Sequence, residues 1–217
     1  MSAEEEKQVA AEAAAGFVDS GMTVGLGTGT TAADLLPVLA RRRLQIRCVA
    51  TSRRTEQEAR ELGLRVEAFG SISRLDIAID GADQVAPDGW LVKGGGAAHT
   101  REKIVAAAAS QFVVIADSTK CVDVLHPPVP LELLAFGLHA TLRELGPVTL
   151  RDVAPSPEGG IIADYRGDIG VPAALAARLS ALPGLVEHGL FPPELVAVIL
   201  IGRGRSVEQR VLEPAPH

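Results

Sequence analysis

Aromatic side chains are scarce in this chain: one Trp, one Tyr and five Phe in 217 residues. That scarcity argues against stacking of single-stranded nucleic acid, which depends on aromatic platforms. Excess positive charge is missing as well. The formal net charge is −6 and the isoelectric point lies near 5.4, the opposite of the basic footprint of a nucleic-acid binder. The one basic run, Arg41-Arg42-Arg43, falls at an expected helix C-terminus, where positive charge complements the dipole. No nucleic-acid partner is therefore expected. Cysteine is limited to Cys48 and Cys121, whose spacing fits no metal site and whose apolar contexts fit no activated nucleophile. No metal is expected. The longest apolar run, residues 195–201, is too short to span a bilayer. The acidic start, Met1-Ser2-Ala3-Glu4-Glu5-Glu6, lacks the features of a signal peptide. The expectation is a soluble cytoplasmic protein with no membrane partner.

Lysine is the last deficit. Of 21 basic residues only Lys7, Lys93, Lys103 and Lys120 are lysine. A chain that uses arginine for generic surface charge keeps lysine where a compact, rotatable ammonium is needed.

What is present is a chain of 47% apolar residues, long enough to bury a substantial core. Ser2 with Glu5 makes a capping box that opens a helix over residues 2–17. Expected strands at 23–26, 46–50, 75–79, 90–92 and 112–116 alternate with expected helices at 31–42, 53–62 and 99–110. That alternation indicates an α/β fold, a Rossmann-like parallel sheet with helices on both faces. The proline cluster His126-Pro127-Pro128-Val129-Pro130 marks a boundary. Beyond it, short strands and helices form a compact α+β pattern that leaves at Pro192-Pro193. Residues 195–201 then read as a buried strand returning to the first sheet. The expected organisation is a catalytic domain of residues 1–125 and 195–217, with a small inserted α+β (ferredoxin-like) domain at 126–194.

Four polar clusters follow expected strands: Gly27-Thr28-Gly29-Thr30-Thr31, Asp80-Gly81-Ala82-Asp83, Lys93-Gly94-Gly95-Gly96 and Asp117-Ser118-Thr119-Lys120. In one parallel sheet all four would land on the carboxyl edge, where open α/β sheets bind ligands. Three consecutive glycines let a ligand approach backbone amides, and Lys93 adds positive charge. Glu102, one turn into the next helix, can face the same ligand as a carboxylate base. Asp80 and Asp83 can exchange protons with hydroxyl and carbonyl oxygens, although Asp-Gly also serves as plain turn chemistry. The hydroxyls of Thr28, Thr30 and Thr31, backed by helix N-terminal amides, suit a phosphate or sugar hydroxyls. Gly27-x-Gly29-x-x-Ala32 is also a weak dinucleotide fingerprint. With Arg53 and Arg54 after the second strand, an NADP-binding enzyme stays open. His99 is read as a packing or capping residue and Trp90 as a sheet-packing one.

These clusters, in this order, resemble ribose-5-phosphate isomerase of the A type. The resemblance implies an aldose–ketose isomerase of the non-oxidative pentose phosphate pathway. It implies a homodimer, a sugar-phosphate substrate and no cofactor. Carried over to this sequence, it places Lys7 and residues 28–31 around the phosphate, with Gly29 among them and Lys120 as a further cation. Asp80, Gly81, Ala82 and Asp83 contact the sugar, with Asp80 and Asp83 assisting ring opening. Lys93 and the amides of Gly94, Gly95 and Gly96 steady the oxygens where charge develops, and Glu102 is the general base. Departures are Gln84 in place of glutamate, Thr30 for serine, the Thr51-Ser52-Arg53-Arg54 loop, His99, and a poorly matched segment at 134–160. A non-catalytic sugar-phosphate sensor remains the alternative from another class.

Overall fold

The computed structural model describes residues 2–212; Met1 and residues 213–217, which fall within the expected catalytic domain, lie outside the described residues. The chain divides into two compact units. One comprises Met1–Ala82, Arg101–Cys121 and Pro193–His217, the other Asp83–Thr100 and Val122–Pro192.

The first unit is built on a six-stranded sheet. Its order is Ser206–Val211, Val198–Arg203, Ala109–Asp117, Leu75–Gly81, Thr23–Leu26 and Arg47–Ala50. Every pairing is parallel except the outer hairpin between Val198–Arg203 and Ser206–Val211. The α/β fold with flanking helices is borne out. Apolar side chains from both sheet and helices, among them Val24, Ile77, Ile79, Val113 and Leu200, form one core. The first helix, Ala3–Ala15, begins at the expected capping box: Ser2 Oγ accepts from the Glu5 amide, and Glu5 Oε2 accepts from the Ser2 amide at 2.8 Å. Its inner face is alanine (Ala10, Ala11, Ala14 and Ala15, all buried), so the helix backbone can approach its neighbours closely.

Strand order decides where a ligand can sit. The chain leaves Thr23–Leu26 for the edge strand Arg47–Ala50, then returns to Leu75–Gly81 on the other side of Thr23–Leu26. The winding direction therefore reverses between Thr23–Leu26 and Leu75–Gly81. Open α/β sheets leave their ligand crevice at such a reversal, beyond the strands' carboxyl ends. Residues 27–31 and Asp80 lie there.

The second unit holds a four-stranded antiparallel sheet in the order Leu185–His188, Val129–Leu133, Ile161–Tyr165, Val148–Leu150. With the helices Leu138–Leu145 and Pro172–Ser180 the chain order is β-α-β-β-α-β, the ferredoxin-like arrangement. Val129, Leu131, Leu133, Ala163, Leu175 and Leu179 fill its core. A separate three-stranded antiparallel ribbon joins Leu190–Phe191, Leu91–Val92 and Gln84–Val85.

That ribbon corrects one expectation. Leu91–Val92 is not a strand of the large parallel sheet, so Lys93 does not reach the carboxyl edge by following one. Trp90-Leu91-Val92 is apolar whichever sheet it joins, and sequence gives no sign of its partners. The same ribbon places Asp83–Thr100 in the second unit, whereas the expected boundary lay at residues 125 and 126. Four strands were not expected at all, among them Gln84–Val85 and Leu190–Phe191 of the ribbon. Val148–Leu150 and Ser206–Val211 are sheet edges, partly exposed along their length, and so lack the apolar runs that mark buried strands. The strand expected at 195–201 begins later, at Val198, because Pro193–Leu195 forms a turn of 3₁₀ helix.

Candidate active site

In the first unit the turn after Thr23–Leu26 is fastened to Asp80. The Gly27 amide donates to the Ile79 carbonyl at 2.9 Å, and the Thr28 amide to Asp80 Oδ1 at 3.0 Å. The Gly81 amide donates to the same oxygen at 2.7 Å. A Cβ on Gly27 would fall inside the Asp80 carboxylate, so this glycine is required by space rather than by its backbone angles. Asp80 is only 3% exposed. Below the turn, Thr28 Oγ1 meets Thr51 Oγ1 at 2.7 Å, and Thr55 Oγ1 donates to the Gly27 carbonyl at 3.0 Å. Thr51 and Thr55 are thus struts under the turn. Their contribution was not legible in sequence, because a threonine supporting a turn has no characteristic spacing.

The helix Thr30–Arg42 starts at Gly29, which has φ 116° and offers no side-chain cap. Its first-turn amides are therefore not covered by a capping side chain. Such a terminus favours an anion through both its N–H groups and the helix dipole. Thr30 is exposed at the mouth, and Thr31 is buried beneath it, its Cβ 3.7 Å from where a side chain on Gly81 would begin.

Lys7 and Lys120 are carried by elements that Glu6 joins. Glu6 Oε2 accepts from the Ser118 amide at 2.9 Å and Oε1 from the Gly204 amide at 2.8 Å. The Ser118 hydroxyl and those two amides hold the Glu6 carboxyl down at about 2. Lys7 is buried and donates to Glu4 Oε1 at 2.7 Å. Its charge also acts on Asp34, one turn along the Thr30–Arg42 helix. Burial, then Glu4, push the Asp34 carboxyl up, and Lys7 opposes them. Lys120 ends the Ser118–Lys120 turn and is half-exposed.

Glu102 lies in the first turn of His99–Ala108 and is 4% exposed. Three residues further on, Val105 packs where a Gly25 side chain would begin, beside Leu75 and Ala78. Residues three apart share a helix face. This helix ends where Ala109 pairs with Leu75, at the amino edge of the sheet. Three residues towards the N-terminus, about 4.5 Å at 1.5 Å per residue, Glu102 lies further from that amino edge than Val105.

In the second unit, Lys93 is among the largest fully buried side chains, at 2% exposure. Its ammonium stands 5.3 Å from the centre of the Phe191 ring, and its amide donates to the Gly189 carbonyl at 2.8 Å. The glycine loop that follows is held from several sides. Asp83 Oδ2 accepts from the Gly95 amide at 2.7 Å, so that amide is engaged and not bare as expected. Gly94 has φ 101°, and a Cβ there would lie 2.7 Å from that of His99, whose fully buried ring backs the loop. Arg151 donates to the Gly94 and Gly95 carbonyls at 3.1 and 3.0 Å. Sequence reading missed Arg151 altogether; it lies in the poorly matched segment.

Two departures find structural reasons. Gln84 donates from Nε2 to the His126 carbonyl at 2.7 Å and accepts the His126 amide at 2.9 Å. An amide side chain can make both bonds, whereas an ionised glutamate could make only the second. Arg54, which the nucleotide reading needed, is exposed and paired with Glu58 at 2.8 Å.

A family model described as Ribose 5-phosphate isomerase A (phosphoriboisomerase A) matches residues 47–206, well over half of the chain. The chain belongs to the ribose 5-phosphate isomerase A family. It is 42% identical to the ribose-5-phosphate isomerase A of Caulobacter sp. (strain K31), over 97% of this chain and 100% of that protein. The solved ribose 5 phosphate isomerase A from Neisseria gonorrhoeae superposes with a TM-score of 0.92 at 31% identity, covering 97% of this chain and 98% of that one. A D-ribose-5-phosphate isomerase in complex with phospho-erythronic acid superposes with a TM-score of 0.90 at 32% identity, covering 97% and 100%. Family membership displaces the sensor and NADP readings. Asp80, Asp83, Lys93, Glu102 and Lys120 fall inside the matched stretch, whereas Lys7 and residues 28–31 precede it. No helix among the described residues is long and apolar enough to cross a membrane.

Proposed function

We propose that this member of the family interconverts ribose 5-phosphate and ribulose 5-phosphate through an enediolate, with Glu102 as the general base. The observation that carries the reading is the pair Asp80 and Glu102. Both carboxylates are almost removed from water, and the strand order leaves a ligand crevice at Asp80. A shielded carboxylate suits abstraction of a proton from carbon.

Each residue has one task. The Glu102 carboxylate takes the proton from C2 of the open-chain aldose and returns it to C1. Asp80, with Asp83, carries the accompanying proton between O1 and O2 and assists ring opening. Lys93 and the glycine-loop amides other than that of Gly95, which Asp83 engages, stabilise the oxyanion that forms in between. The uncapped amides that open the Thr30–Arg42 helix and the hydroxyls of Thr28, Thr30 and Thr31, with Gly29 letting the chain turn, hold the phosphate, and Lys7 and Lys120 supply charge. Gly81 and Ala82 line the sugar. The working form is a cytoplasmic homodimer that needs no metal or cofactor, with residues 126–194 as an insertion in the catalytic fold.

Purified protein incubated with ribose 5-phosphate and EDTA tests the reading. Ketose formation is expected. Binding without turnover would return the sensor reading. Phospho-erythronic acid carries a carboxylate where the enediolate carries O1 and O2, so it should compete with substrate.

A further inference from the structure

Arg151 follows the edge strand Val148–Leu150, and its backbone amide donates to the Ile162 carbonyl at 3.0 Å. Its guanidinium is divided between two tasks. Nε and Nη2 donate to Asp164 Oδ1 at 3.1 and 2.7 Å, while Nη1 donates to the carbonyls of Gly94 and Gly95. Asp164 is itself nearly buried and takes a further, longer contact of 3.4 Å from Arg166 at its other oxygen.

A trans peptide is planar, so its carbonyl and its N–H point in opposite directions. Fixing one end aims the other. The Gly94–Gly95 peptide is fixed at both ends, its carbonyl by Arg151 and its N–H by Asp83. The Gly95–Gly96 peptide is fixed by Arg151 at its carbonyl, which aims the Gly96 N–H away from the guanidinium. Glycine has the widest choice of backbone angles of any residue, so three in succession would not hold an amide in one direction by themselves. A charged donor on the carbonyl also polarises the peptide and strengthens its N–H as a donor.

We propose that Arg151, anchored by Asp164, is a positioning residue that aims the Gly96 amide at the oxyanion of the enediolate. This rests on the isomerase reading above and on the glycine loop's part in it. Lysine cannot replace the arginine, because one ammonium cannot hold Asp164 and both carbonyls in a planar fork.

The experiment compares wild type with Arg151→Lys, Arg151→Ala and Asp164→Asn. It measures kcat, KM and inhibition by phospho-erythronic acid, with thermal melting in parallel. Misplacing a single oxyanion donor should lower kcat by about 10- to 100-fold. KM should stay within about threefold, and inhibitor affinity should fall in step with kcat, as expected when only the transition state loses an interaction. Added guanidinium should restore part of the turnover of Arg151→Ala. A variant that melts like wild type and keeps wild-type kcat and inhibitor affinity would overturn the proposal. So would a kcat loss in Arg151→Lys that leaves inhibitor affinity untouched. Wild-type turnover, read in the same assay, tests the isomerase reading separately: its absence would remove both claims, and an active wild type with indifferent variants would remove only the clamp.

Discussion

The Thr28 amide donates to Asp80 Oδ1 at 3.0 Å, and the Gly27 beside it has no room for a side chain because that carboxylate fills the space. Turn and carboxylate therefore position each other. Gly27→Ala would push the Asp80 carboxyl aside or displace the turn. Overpacking of this kind costs about 1–3 kcal/mol of stability, and loss of an aligned proton carrier should lower kcat by about 10²-fold. Steady-state kinetics with a melting curve would check both. Wild-type kcat in a folded variant would show that Asp80 can move without consequence.

Glu102→Gln keeps the shape and hydrogen-bonding reach of the side chain but cannot accept a proton from carbon. Turnover should drop by at least about 10²-fold with KM nearly unchanged. Exchange of the C2 hydrogen with solvent, followed by NMR, should slow by the same factor. Exchange at the wild-type rate would assign the base elsewhere.

Lys120 sits half-exposed at the end of a turn in an acidic protein. The overall field disfavours a dianionic substrate, so local cations must offset it. Lys120→Ala should raise KM and leave kcat alone. The wild-type KM should also rise with salt as the half-exposed Lys120 charge is screened. A flat salt response, or a selective kcat loss in the variant, would mean that Lys120 has a different task.

Much of this arrangement is legible in the order of residues along the chain. A strand ending in Gly-Thr-Gly, a buried strand ending in Asp-Gly, and a helix beginning near Glu102 are local patterns whose chemistry follows from the residue types. Contacts between segments are not legible in that way. Trp90-Leu91-Val92 looks the same in a parallel sheet as in the antiparallel ribbon it joins, since apolarity reports burial and not partners. Arg151 leaves no trace because a guanidinium on two backbone carbonyls depends only on where Gly94 and Gly95 lie, not on their neighbours in sequence. The Ser206–Val211 edge strand is hidden for the opposite reason, being too polar to look like sheet.

Gln84 makes paired bonds to the backbone of His126 while almost buried. Gln84→Glu would set a carboxylate oxygen against the His126 carbonyl in place of a donor. Facing an almost buried carboxylate oxygen with an acceptor and no donor should cost about 1–3 kcal/mol, seen as a lower midpoint in urea or heat. Because the side chain is committed to His126, kcat at low temperature should change by less than about threefold. A large kcat change without loss of stability would place Gln84 in the chemistry instead.

Glu6 ties the first helix to the Ser118 turn and to Gly204, and its carboxyl is held at about 2 against an ordinary 4.5. The folded state thus prefers the ionised form. A depressed pKa contributes stability that is complete above the unfolded value, near 4.5, and disappears as pH falls through about 2. Glu6→Gln cannot titrate. The variant should therefore melt below wild type at neutral pH, and the gap should narrow steadily below about pH 4.5 as the wild-type carboxyl loses its advantage. Melting curves of both proteins across this range give the answer directly. A gap that stays constant down to about pH 2.5 would mean that the hydrogen bonds act on shape alone, with no preference for the charged form.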